Sequence, residues 1–194
     1  MKNLSMVAAS LLALGISGNA MANKAPNFDF VGVSYVQADL ADEDLDGFAV
    51  KGEMSFANNW FAAINYMDTS EDTNGIDLDY SEAFANVGYQ FYRTNMLTAY
   101  VSAGYAWAEA KASSSTVSIS ADEDGWNAQV GVRAALTEQF ELDANVRHVD
   151  IEESDQYYSL TGRYFFTPNF SADINYSYMN SDQSNYSIGV NYHF

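Results

Sequence analysis

The chain has 194 residues, about one domain, and carries a net charge of −18 from 26 acidic and eight basic residues. Such a charge repels nucleic acid and excludes it as a partner. The absence of cysteine excludes disulfides and thiolate metal sites, and no stretch of about 20 apolar residues follows, so any membrane must be crossed by strands.

The first element is a leader. Lys2 gives a short positive start, MVAASLLALGI is an apolar run too short to span a bilayer, and Ala20-Met21-Ala22 supplies a small-x-small cleavage pattern. Residues 1–22 therefore read as a secretory signal peptide cleaved after Ala22, with one domain over 23–194.

From residue 28 onward the hydrophobic period is two. In WNAQVGVRAAL, the residues Trp126, Ala128, Val130, Val132 and Leu136 alternate with Asn127, Gln129, Gly131 and Arg133. That spacing puts apolar side chains on one face of a β-strand. Ten strands are expected, over 28–38, 47–57, 60–68, 78–92, 97–109, 125–136, 140–149, 157–166, 170–179 and 185–194. Connections after even-numbered strands are tight, such as TEQ and TPN, whereas those after odd-numbered strands are mostly longer and acidic, such as DLADEDLD and DTSEDTNGID. The units LTEQFELDANV and FTPNFSADINY share a template and suggest a hairpin repeat.

Four features put the apolar face outside, against lipid. The polar face is rich in Gly, Ser, Asn, Gln and Thr rather than in Lys and Glu. Aromatic residues cluster at strand ends: Phe56, Trp60, Phe91, Phe140, Phe166, Phe170 and Phe194 near the tight turns, and Tyr35, Phe48, Tyr66, Trp107, Trp126, Tyr158, Tyr178 and Tyr186 near the long loops. Two girdles about an aliphatic band match the two interfaces of a bilayer, and short turns opposite long loops match an outer-membrane barrel. Finally, the charges on the polar face can pair. With 137–139 as a three-residue turn, Arg133 faces Asp143. With 167–169 as the turn, Arg163 faces Asp173. Lys51 and Arg147 have Glu53, Glu82 and Glu141 available on the same face. The fold class is an all-β, transmembrane, up-and-down antiparallel barrel of ten strands, with eight as the alternative.

The opening strand FDFVGVSYVQAD, the units GYQFYRTNMLTAYVSAGYAWA and RYFFTPNFSADINYSY, and the ending YSIGVNYHF resemble the small bacterial outer-membrane β-barrels, the group of the OmpA transmembrane domain, OmpX and the opacity proteins. The ending carries most of the likeness: a last strand finishing in Tyr192 and Phe194 resembles the signal read by the outer-membrane assembly machinery. The resemblance implies a place in the Gram-negative outer membrane, with lipid and lipopolysaccharide as surroundings. It implies roles spanning adhesion, envelope integrity and narrow pores. Many members have eight strands, so ten is a departure.

Two motifs invite chemistry. DEDLDGFAVKGE spells a calcium loop through Asp42, Asp44, Asp46, Gly47 and Glu53. If FAVKGE is a strand, Glu53 lies roughly 20 Å from Gly47 at the rise of a strand and cannot wrap back onto an ion. Loose divalent contacts at Asp42, Asp44, Asp46, Asp122, Glu123 and Asp124 are a weaker expectation, since 19 of the 26 acidic residues lie in or beside the outer loops, with Lys111 the base among them. His148 with Asp150 is the candidate for catalysis, yet both fall on the outward parity with no evident nucleophile.

The functional reading is a non-enzymatic, monomeric envelope barrel without a cofactor, whose acidic loops make surface contacts. A narrow cation-preferring pore is the alternative, and an enzyme using His148 and Asp150 is a distant third.

Overall fold

Hydrocarbon offers no partner to a backbone N–H or C=O, so a sheet that enters it must close on itself. The computed structural model describes residues 25–40, 43–73, 75–114, 116–152, 154–179 and 183–194, and they do close. Ten antiparallel strands form one barrel: β1 Phe30–Leu40, β2 Glu43–Ala57, β3 Trp60–Thr73, β4 Ile76–Arg93, β5 Leu97–Ser114, β6 Ser118–Ala135, β7 Phe140–Asp150, β8 Ser154–Thr167, β9 Phe170–Met179 and β10 Gln183–His193. The seam is the pairing of β1 with β10, from Phe30 opposite His193 to Leu40 opposite Gln183. The expected signal peptide lies outside the described residues.

The expected alternation holds, and the apolar face is the outer one. Ile64 is 61% exposed, whereas Phe61 on the opposite parity is 2% exposed. Trp60, Phe56, Phe166 and Phe170 form the lower exposed belt, and Tyr35, Phe48, Trp126 and Tyr186 the upper one.

Three lower turns are built alike. The Thr137 hydroxyl oxygen accepts the backbone N–H groups of Gln139 and Phe140. Thr167 does the same for Asn169 and Phe170, and Thr94 for Met96 and Leu97. A side chain that mimics a backbone acceptor fixes a tight reversal, which accounts for the repeated template. The remaining turn has no threonine and instead places Asn59 at φ 67°, a left-handed conformation that Asn tolerates.

The outer ends differ from the expectation. Most of the residues assigned to the β1–β2, β3–β4 and β5–β6 loops belong to strands: Thr73 pairs with Ile76, Ile76 with Ser114, and Ser113 with Ser118. Antiparallel ladders continue into water without an apolar face, so alternation stops marking them once the lipid ends. Asp44, Asp46, Asp122, Glu123 and Asp124 are therefore strand residues, while Asp42 and Glu153 lie outside the described residues.

Glycines admit the large inward rings. A Cβ on Gly88 would lie 2.2 Å from Cζ of Phe61, and one on Gly131 would lie 2.4 Å from Cζ of Tyr100. Gly88→Ala should therefore cost roughly 1–3 kcal/mol. Urea unfolding followed by the shift in gel mobility between unheated and boiled samples checks this. Adding Phe61→Leu should recover part of the loss.

Candidate functional site

Inward-facing charges form one connected network across the lower lumen. Arg133 is its hub. Its Nε donates to Asp143 Oδ2 at 2.7 Å, and Nη1 and Nη2 donate to the two carboxylate oxygens of Glu53 at 2.9 and 3.0 Å. Arg163 Nη1 donates to Glu141 Oε1 at 2.5 Å, and Lys51 Nζ to Asp173 Oδ2 at 2.6 Å. Longer contacts of 3.9 Å, Arg133 to Glu141 and Arg163 to Asp173, join the pieces. Three bases thus meet four carboxylates. Each of these ions has lost most of its hydration, so the network holds only because the partners are close and multiply bonded.

The anticipated cross-strand positions are right: Arg133 stands opposite Asp143, and Arg163 opposite Asp173. The short bond of Arg163 nevertheless goes to Glu141. Glu141 stands directly opposite Arg163 on the other neighbouring strand. A strand has two neighbours, and counting through one turn reveals only one of them. Arg147 also departs from expectation. Its bonds at 3.0 and 2.7 Å go to Gln129 Oε1, its guanidinium lies 4.0 Å above the Phe84 ring, and it makes no ion pair among the described residues.

A further part of the floor comes from the chain before β1. Phe28 is 2% exposed, under the Arg133 guanidinium at 4.0 Å and packed on Phe61 and Tyr100 at ring-centre distances of 4.8 and 5.5 Å. The carbonyl of Asn27 accepts from Arg133 Nη1 at 2.7 Å, and its N–H donates to Glu141 at 3.3 Å. The Tyr100 hydroxyl donates to Asp143 at 3.0 Å. His193, 1% exposed, lies between Phe30 and Phe165 and contacts Ser171 at 2.8 Å. Inward aromatics at Phe28, Phe61 and Tyr100 were legible as breaks in the polar parity. The bonds of Asn27 carry no signal in sequence.

Above this floor lies a polar chamber of about 190 Å³, bordered by Lys51, Asn65, Asn86, Gln129 and Arg147 among others. Glu82 projects into it, bonded by the hydroxyls of Tyr157 at 2.7 Å and Tyr80 at 3.3 Å.

The calcium pattern does not assemble. Asp46 stands opposite Gln37 and accepts from the Tyr35 hydroxyl at 2.6 Å on the outer face, while Glu53 stands opposite Phe30 and holds Arg133 inside. Among the described residues, no group of three or more His, Asp or Glu side chains is placed to hold a metal. His148 faces outward, its ring 5.2 Å from that of Trp126 and its Nδ1 2.5 Å from Gln156 Nε2. Tyr192 and Phe194 are exposed on the outer face, with the Tyr192 ring tilted against that of Phe170 at a ring-centre distance of 5.3 Å.

A family model for the outer membrane protein β-barrel domain matches residues 6–194. The chain belongs to this family. No curated protein matches it. Among solved structures it is similar to the NanC porin, at 10% identity and a TM-score of 0.53 over 84% of this chain and 100% of that one. It is also similar to Ail of Yersinia pestis, in complex with the heparin analogue sucrose octasulfate, at 17% identity and 0.50 over 85% and 95%. OprG of Pseudomonas aeruginosa aligns at 14% identity and 0.50 over 90% and 99%. Identities this low carry the fold alone. Membership gives a membrane barrel whose family suggests the bacterial outer membrane.

Within this barrel Arg133 should be the most costly charge to remove. Arg133→Met strands Glu53 and Asp143 without their bases and should cost roughly 3–5 kcal/mol, the usual penalty for breaking a buried pair. Asp143→Asn should cost less, because Glu53 still holds the arginine. A double-mutant cycle on Arg133 and Glu53 in urea should give coupling above about 1 kcal/mol. Additive effects would show that the two do not meet.

Proposed function

We propose that the protein is a non-enzymatic outer-membrane barrel that makes contacts at the cell surface through an acidic extracellular sheet. The observation that carries this is the height of β3–β6. These four strands continue past the last pairs of their neighbours, Asp46 opposite Ser70 on one side and Asp150 opposite Trp126 on the other. Residues 118–125 of β6 then pair with β5 and, among the described residues, with nothing on the far side. This open edge offers backbone donors and acceptors beside exposed Asp122, Glu123 and Asp124. An edge of that kind accepts an added strand, and its charge selects a basic one. The sealed floor supports contact over passage.

In this reading the leader is removed after Ala22, and Tyr192 with Phe194 presents the assembly signal. The barrel sits as a monomer among lipid and lipopolysaccharide. The acidic rim takes up Ca²⁺ or Mg²⁺ weakly and without fixed stoichiometry. Salt screens such exposed contacts, so the uptake falls as monovalent salt rises. Glu53→Gln leaves it unchanged, because that side chain is held by Arg133 inside.

A second reading, a narrow cation-preferring pore, draws on the chamber and its polar wall.

Cells displaying the protein should adhere to a poly-lysine surface more than cells without it, and the excess should fall as salt rises. Replacing Asp122, Glu123 and Asp124 together with Asn should remove most of the excess while the gel-mobility shift of the folded barrel persists. Equal adhesion by the triple variant would overturn the assignment to this edge.

A further inference from the structure

The chamber is separated from the lower mouth of the barrel by side chains that lean on a segment outside the sheet. Phe61, Tyr100 and Arg133 border the chamber from below, and Phe28 packs against all three on the other side. We propose that residues 26–28 are a removable stopper, and that their withdrawal turns the chamber into a passage for small hydrated ions. This goes beyond surface contact and does not depend on it.

The segment is placed to move as a unit. Residues 25–29 have no strand pairing, and β1 begins only at Phe30. A few discrete bonds hold them. Asn27 is tied to Arg133 and Glu141 through its backbone and lies 3.4 Å from His193 through its amide. Asp29 accepts from Ser55 N at 2.6 Å and, through its carbonyl, from Phe194 N at 3.3 Å. The Asp29 bonds lie at the hinge end and can persist. Withdrawal of 26–28 thus breaks the Asn27 bonds and the Phe28 ring contacts but none of the ladder that closes the barrel.

Removal also acts on the hub. Arg133 loses the Asn27 carbonyl and the Phe28 ring, two of the contacts that hold its guanidinium across the floor, while Asp143 and Glu53 remain. Tyr100 and Phe61 lose their packing partner at the same moment. The ions above the opening are mixed in sign, whereas the outer rim is acidic, so cations are concentrated at the entrance and pass preferentially.

Planar-bilayer recording on the refolded chain lacking residues 1–22 tests this. The parent should be almost silent. Phe28→Ala should raise the fraction of time conducting by about tenfold or more, a change of about 1.4 kcal/mol per tenfold, with Phe28→Leu between the two. The chain has no cysteine, which allows a second arm that does not depend on the variant's folding pathway. Phe28→Cys is folded first and then exposed to a charged, membrane-impermeant thiosulfonate. Conductance raised already before exposure, as in Phe28→Ala, and then made sustained and cation-selective by modification supports the stopper. A thiol that stays unreactive in the folded barrel overturns it. So does a folded Phe28→Ala variant as silent as the parent, or a parent that already conducts as well as the variant.

Discussion

The rest of the molecule depends on the impossibility of leaving a backbone amide unpaired in hydrocarbon. Ten strands satisfy that condition only as a ring, so β1 must find β10 across the whole length of the chain. Closure then divides every strand into two faces with different solvents. Lipid takes the aliphatic band between two aromatic belts. The enclosed face has no lipid and little water, and its side chains must satisfy one another. The charged network and the amide pair between Asn86 and Asn127, bonded at 2.8 and 2.9 Å, are the consequence.

The network also explains how register is held. Alternation by itself would tolerate a slip of two residues in any strand, since the apolar face would stay outside. A slip by two would separate Arg133 from Asp143 and Glu141 from Arg163, and in either direction at least one ion of each pair would face a residue without charge. Such a state is far more costly than the gain from a well-made pair. Charges inside a barrel act here mainly as a penalty on wrong pairings.

Much of this was legible in the sequence, and the boundary of legibility is physical. The strand count, the outward apolar face and the Arg133–Asp143 pairing follow from a period of two and the length of a turn. The Arg163–Glu141 bond does not, because it needs the second neighbour of β8. Nor does Lys51–Asp173, whose partners lie 122 residues apart and meet only through the closed seam. The outer ladders were hidden for a different reason: a strand in water on both faces has no alternation to read. Phe28 could be read as inward, yet that it precedes β1, which begins at Phe30, rests on backbone geometry that no pattern reports.

The barrel inverts the inside and outside of a water-soluble fold. Single spin labels placed along β10, in the otherwise cysteine-free chain reconstituted in bilayers, measure this inversion directly through collisions with oxygen dissolved in lipid. Labels at Tyr186, Ile188, Val190 and Tyr192 should be accessible, with those at Ser187, Gly189 and Asn191 shielded. An alternation of the opposite phase, or none, would contradict an apolar face turned to lipid around a filled polar interior.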